Sequence, residues 1–257
     1  MIKLFVSDID GCLAEPYRPY DLDRFQAMAA YAAAAPDVST ASARPAVSLC
    51  SGRAYSYVEA MAQVLGLETP VLFESGGGMF EPVEARTTWH DDFSAEVEAE
   101  LRAIRRWMLE TLCRPDTAIS LDHNKRTQAG VVSPNTDELE AHLPDVEAFV
   151  DEMTSDFRIY TTHISIDVLP AQITKKQGLA WLARHLGITV EEMAYIGDTG
   201  GDLPALNQVG VSFAPANAEE RVRREVDIVT ESPVLAGTLE AYAWCVQHNE
   251  AARASAT

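Results

Sequence analysis

The stretch Lys3-Leu4-Phe5-Val6-Ser7-Asp8-Ile9-Asp10-Gly11 decides how the rest of this chain is read. Residues 3–7 are a short apolar run rich in strand formers, and the run stops on two carboxylates and a glycine. In extended backbone, side chains at i and i+2 leave on the same side, so Asp8 and Asp10 point the same way and repel. A hard divalent cation relieves that repulsion, and magnesium takes one or two carboxylates, waters and a substrate phosphate. Gly11 permits a sharp turn. A turn carrying two helix-capping acids is the plainer explanation, and DIDG alone is too short to separate the two.

The same rhythm returns on either side. Apolar runs at 46–50 and 71–74 frame a helix at 54–65 that ends on Gly66, after an alanine-rich helix at 21–34 and a loop at 37–45. Gly76, Gly77 and Gly78 close the third strand. The C-terminal third reads helix 175–186, strand 193–197, helix 202–208, strand 210–214, helix 217–225, strand 227–230 and helix 234–248, with a frayed tail after Asn249. Buried strands alternating with helices predict a doubly wound parallel α/β sheet. The middle differs. A long amphipathic helix at 94–112 buries Leu101, Ile104, Met108 and Leu112 on one face. Strands near 117–122 and 127–133 follow, then a helix capped by Asn135 and reaching about 154, then strands 157–161 and 164–168. That α-β-β-α-β-β order predicts an inserted antiparallel α+β cap at 84–170, within a core of 1–83 and 171–257.

Ligands of parallel sheets gather beyond the carboxyl ends of the strands, near a switch in strand order. Asp8 and Asp10 lie there, as do Ser51-Gly52-Arg53 after the second strand and Asp198 and Asp202 after the strand at 193–197. Asp198 offers a further metal oxygen. Ser51 and the backbone around Gly52 and Arg53 can hold a phosphate oxygen at a helix start. Asp202 and Ser51 can equally be helix N-caps. Lys175 opens a helix, where a cation is mildly unfavourable, which hints at an electrostatic task.

The whole chain sets limits. Its 257 residues are 47% hydrophobic, enough for a large core. With 39 acidic against 20 basic residues the net charge is -19, so nothing draws the chain to nucleic acid or an anionic membrane. Any phosphate site must be built locally. Cys12, Cys50, Cys113 and Cys245 have neither metal-finger nor redox spacing and read as reduced thiols of a cytoplasmic protein. Asp8 comes too early for a signal peptide, and no apolar run approaches the ~20 residues of a membrane helix.

Taken together, VSDIDG (6–11), SLCSGR (48–53), TKKQGLAWLARHLGI (174–188) and YIGDTGGDLPAL (195–206) resemble the phosphatases of the haloacid dehalogenase superfamily in order, spacing and local structure. The insert resembles the cap of its Cof-like branch, which includes sucrose-phosphate, mannosyl-3-phosphoglycerate and some phosphoglycolate phosphatases. The resemblance implies that Asp8 is a nucleophile forming an aspartyl-phosphate and Asp10 the general acid and base. It implies that Ser51 and Lys175 hold the phosphoryl group. Magnesium is expected on the Asp8 and Asp198 carboxylates and the Asp10 backbone carbonyl, with Asp202 orienting waters or Lys175. Counting back from His185-Leu186-Gly187-Ile188 selects Lys175 over Lys176. Three positions depart from the pattern: Gly201 stands where relatives carry Asn, Ser51 where many carry Thr, and Ser75-Gly76 where many read Asn-Gly. The implied enzyme, a monomer or homodimer, is a phosphomonoesterase for a small phosphate ester such as a sugar phosphate or phospho-acid. A phosphomutase or phosphotransferase is the alternative, and a non-catalytic sensor of phosphorylated ligands a third. For the leaving group, the candidates are the hairpin tips His123, Asn124, Lys125 and Arg126, and Thr162 and His163. Hairpin tips are also polar simply because they are wet.

Overall fold

The computed structural model describes every residue except 36, 37, 41, 163, 256 and 257. Two residues of the expected 37–45 loop, and the hairpin-tip His163, therefore lie outside the described residues. The chain forms two compact units, Met1–Thr88 with Lys175–Thr257, and Trp89–Thr174.

The first unit begins β1 (Leu4–Ser7), α1 (Leu22–Ala34), β2 (Ala46–Leu49), α2 (Tyr55–Leu65), β3 (Val71–Phe73), β4 (Gly78–Glu81) and β5 (Arg86–Trp89). The intervening segment carries α3 (Ala95–Thr111), β6 (Ser120–Leu121), β7 (Ala129–Val132), α4 (Thr136–Val150), β8 (Phe157–Thr161) and β9 (Ser165–Pro170). The chain ends with α5 (Lys175–Leu186), β10 (Met193–Ile196), α6 (Leu203–Leu206), β11 (Val211–Ala214), α7 (Glu220–Glu225), β12 (Ile228–Val229) and α8 (Val234–Ala254).

The core sheet has the order β12-β11-β10-β1-β2, all parallel. β1 lies between β10 and β2, with Ser7 level with Ile196 on one side and Leu49 on the other. All four residues of β1, β2 and β10 are buried, as strands covered on both faces must be. Asp8, Cys50-Ser51 and Gly197-Asp198 thus leave three neighbouring strands at the same end. The chain reverses direction in strand order beside β1, where parallel sheets open a crevice.

Three differences from the sequence reading have local causes. β3 does end in a turn through Gly76 and Gly77, but Gly78 opens an unexpected strand: the chain turns back and β4 pairs antiparallel with β3, Phe73 facing Gly78. A Cβ at Gly78 would lie 2.0 Å from the Phe73 ring, so the glycine is what permits the pairing. Secondly, α8 runs on to Ala254 instead of fraying after Asn249. The buried Asn249 side chain bonds both the N–H and C=O of Ile2 and the C=O of Ala43, which ties the helix to the start of β1. Thirdly, α4 ends at Val150, short of 154, while Asn135 caps its first turn through the N–H of Glu138.

In the second unit, β6-β7-β9-β8 is an antiparallel sheet. Leu101, Ile104, Met108 and Leu112 are buried against Ala129, Val131, Ile166 and Val168, the face expected from the helical period. Trp107 stacks on Phe149 at 4.6 Å within this packing. No described helix is long and apolar enough to cross a membrane. All four cysteines are free.

Candidate active site

Asp8 follows β1 directly, and its N–H bonds the C=O of Ile196 in the neighbouring strand. Its two oxygens are held separately. Oδ1 accepts the N–H of Ile9 at 2.7 Å, and Oδ2 accepts Lys175 Nζ at 2.5 Å. Lys175 reaches the site from the first residue of α5. That helix comes in close because Gly178 lies against Gly76, where a Cβ would sit 2.7 Å from the Gly76 Cα. Lys176, one residue on, is exposed.

Lys175 Nζ also donates to Asp202 Oδ1 at 2.6 Å. Asp202 is fully buried and has both oxygens engaged: Oδ1 also accepts the Tyr195 hydroxyl at 2.5 Å, and Oδ2 accepts the N–H and hydroxyl of Thr199. It stands at the N-cap position of α6, yet its side chain makes no capping bond there. The capping explanation for Asp202 is therefore not met; the carboxylate is turned toward the lysine. Ser51 is likewise not a cap. Ala54 holds the N-cap position of α2, while Ser51 is buried with its hydroxyl oxygen accepting the N–H of Arg53.

Oxygens of Asp8, Asp198 and Asp202 all lie within 4.8 Å of one another. Gly11, with φ +72°, makes room for this approach, since a Cβ there would fall 1.9 Å from Asp198 Oδ2. Among the described residues Lys175 pairs with only Asp8 and Asp202, so the cluster carries more negative than positive charge. Burial, with Asp202 adding repulsion, pushes Asp8 up to about 6 although Lys175 pulls it down. Burial, then the charges of Asp8 and Asp202, pushes Asp198 up to about 8. For Asp202 burial also pushes upward, but Lys175, Tyr195 and Thr199 outweigh it and the carboxyl stays below its ordinary value. Lys175 is raised despite its burial, because Asp202 and Asp8 hold its proton. Such a donor set fits a hard cation. Asp8 and Asp198 retain the excess charge, and Asp202 already has its partners.

Asp10 is placed differently. Its carboxylate is gripped on both oxygens by Arg53, Nε to Oδ2 at 2.6 Å and Nη2 to Oδ1 at 2.7 Å. The Arg53 guanidinium lies over the rings of Tyr17 and Tyr57, at 5.1 and 4.9 Å from their centroids. The sequence reading grouped Arg53 with phosphate binding and did not single out Tyr17, Tyr57 or Tyr195. For Tyr195 a signal existed: a tyrosine inside a fully apolar strand needs a partner for its hydroxyl.

In the second unit, both cations of the 123–126 tip are paired. Lys125 Nζ meets Asp167 at 2.9 Å and Asp122 at 3.7 Å. Arg126 forks onto Glu98 at 3.0 and 3.2 Å and lies over Trp89.

A five-stranded parallel core, interrupted by an antiparallel α+β insert and carrying acidic groups at its strand ends beside a helix-borne lysine, places the chain among α/β proteins. Residues 112–240 match the haloacid dehalogenase-like hydrolase family, and the chain belongs to that family, in its Cof-like branch. It is a phosphatase of that family. A phosphoglycolate phosphatase of Halorubrum lacusprofundi is 28% identical over 93% of this chain and 95% of its own length. A crystal structure from Thermoplasma acidophilum superposes with a TM-score of 0.73 at 20% identity, covering 97% of this chain and 99% of that one. The sucrose-phosphatase of Synechocystis, solved with sucrose and phosphate, gives 0.64 at 15% identity over 95% and 98%. These two show likeness of fold.

Proposed function

We propose that the protein is a magnesium-dependent phosphomonoesterase that works through an aspartyl-phosphate on Asp8 and acts on a small phosphorylated acid. The observation that carries this reading is the buried lysine shared by Asp8 and Asp202, with Asp198 beside them. An Asp8 oxygen attacks phosphorus in line, and the bond from phosphorus to the leaving oxygen breaks. Asp10 gives its proton to that oxygen. Asp10 then takes a proton from water, whose oxygen attacks phosphorus; the bond to Asp8 breaks and free phosphate leaves. Lys175 neutralises charge on the phosphoryl oxygens, and Asp202 and Tyr195 keep its ammonium in place. Ser51, at the end of the adjacent strand, holds another phosphoryl oxygen. The Asp8 and Asp198 carboxylates and the Asp10 carbonyl would hold magnesium, which would supply positive charge for the transferring group. The phospho-acid is favoured over a sugar phosphate by the names of the relatives, which match over nearly the whole chain.

The test is phosphate release from phosphoglycolate, sugar phosphates, nucleotides and p-nitrophenyl phosphate, with and without magnesium. Release from phosphoglycolate should need the metal and fall by roughly 10⁴-fold or more in Asp8→Asn, the scale of loss when a nucleophile is removed. Full activity in Asp8→Asn would sink the proposal.

A further inference from the structure

Arg53 has more donors than Asp10 uses. A guanidinium offers a side edge, Nε with Nη2, and an end edge, Nη1 with the other Nη2 hydrogen. Asp10 occupies the side edge. The end edge makes no hydrogen bond to any described residue, and the side chain keeps 25% exposure. The guanidinium lies over the rings of Tyr17 and Tyr57 as well. Tyr57 is anchored in turn by a 2.8 Å hydrogen bond to the Tyr20 hydroxyl. Tyr17, at φ +59°, is itself largely exposed and contributes only its ring face. A planar fork is thus aimed, with one edge filled and the other open to incoming ligand.

We infer that this open edge receives a carboxylate carried on the leaving group, which makes Arg53 the residue that selects phosphorylated carboxylic acids. The inference rests on the phosphatase reading above, because it takes Asp10 as the group beside the leaving oxygen. The two edges of one guanidinium lie a few ångströms apart, so an acid group one carbon from the ester oxygen reaches the open edge while that oxygen meets Asp10. A carboxylate matches a planar fork with two parallel hydrogen bonds; a sugar hydroxyl does not. In a chain of net charge -19, a substrate carrying both phosphate and carboxylate needs such a local cation.

The experiment compares phosphoglycolate with 2-hydroxyethyl phosphate, in which a hydroxymethyl group replaces the carboxylate, using the wild type, Arg53→Met and Arg53→Lys with magnesium. In Arg53→Met, kcat/KM for phosphoglycolate should fall about 30-fold further than for the hydroxyethyl ester, mainly through KM, the scale of a lost charge-assisted fork. Arg53→Lys keeps the charge but not the fork and should recover only part of the selectivity; it decides the matter if the Met variant does not fold. An equal fall for both esters would mean that Arg53 acts only through Asp10 and would overturn the inference, as would no fall at all. Phosphate release from neither ester by the wild type would overturn the phosphatase reading and this inference with it, a pattern unlike an equal fall.

Discussion

Two of the four lysines in this chain are held by a pair of carboxylates, and the two settings behave oppositely. Lys175 sits between Asp8 and Asp202, both buried, with Asp198 also in reach. Lys125 sits between Asp167 and Asp122, which keep 16% and 21% of their side-chain surface in water. Each lysine faces more than one negative charge. Around Lys125, solvent screens the surplus. Around Lys175, with Asp202 fully buried and Asp8 nearly so, there is less solvent to do so, and burial with the neighbouring charges raises the Asp8 and Asp198 carboxyls above their ordinary range. Equal residue types thus give a structural tie in one unit and, in the other, a carboxylate cluster that could hold a metal ion.

The comparison is broken most forcefully at Lys175. Lys175→Met leaves buried carboxylates facing one another without their cation, and breaking such a pair costs roughly 3–5 kcal/mol. Magnesium-free protein at pH 8 should lose about that much stability in denaturant titration. The loss should shrink below pH 6, where Asp8 takes up a proton. Phosphate release should fall by about 10²–10⁴-fold, the cost of removing a preorganised charge from a phosphoryl site. A variant as stable and active as the wild type would leave the lysine without a task.

A comparable effect on stability, with no change of residue, comes from pH alone. With folded values of about 6 for Asp8 and about 8 for Asp198 against 3.8 ordinarily, the folded state binds more protons than the unfolded one between those limits. Raising the pH therefore favours unfolding, and the metal-free melting temperature should fall steadily from pH 5 to pH 8. Magnesium must displace the same protons, so its apparent affinity should rise over that window and its stabilising effect should be largest at pH 8. A flat metal-free profile would mean that the carboxylates are not short of positive charge.

Much of this site could be read before the fold was seen, for a physical reason. Asp8, Ser51 and Asp198 each follow a short apolar run, and parallel strands of equal length deliver their following residues to one end of the sheet. What stayed hidden depends on contacts between distant side chains. Arg53 is 43 residues from Asp10 in sequence, and no pattern says that its fork grips that acid instead of a phosphate. Asn249 reads as part of a polar tail until its side chain is seen bonding the backbone of Ile2, 247 residues away. The turn after β3 is legible in its glycines, but β4 is not, because glycines mark strand ends more often than a strand in which a ring needs the space of a missing Cβ. The helical face of α3 was legible in full because its period alone determines it.

The smallest effect belongs to the two cations at the hairpin tip, the part-buried Lys125 and the exposed Arg126. Lys125 and Arg126 stand out as cations in an acidic chain and suggested contact with an anionic leaving group. In the structure each already has work. Asp167, the partner of Lys125, also accepts the Ser165 hydroxyl at 2.9 Å. Gly130 on the paired strand leaves it space, since a Cβ there would come 2.6 Å from its oxygen. Arg126 joins the hairpin to α3 through Glu98 and covers the rings of Trp89 and Phe93. Partly exposed ties of this kind contribute about 1 kcal/mol or less each. Replacing both residues with Ala should cost at most about 2 kcal/mol in denaturant titration and leave Michaelis constants within about 2-fold across the ester panel. A tenfold rise in KM confined to esters with anionic leaving groups would show the opposite, that solvent-screened charge in the second unit reads the substrate. The contrast between the two lysines would then be one of degree.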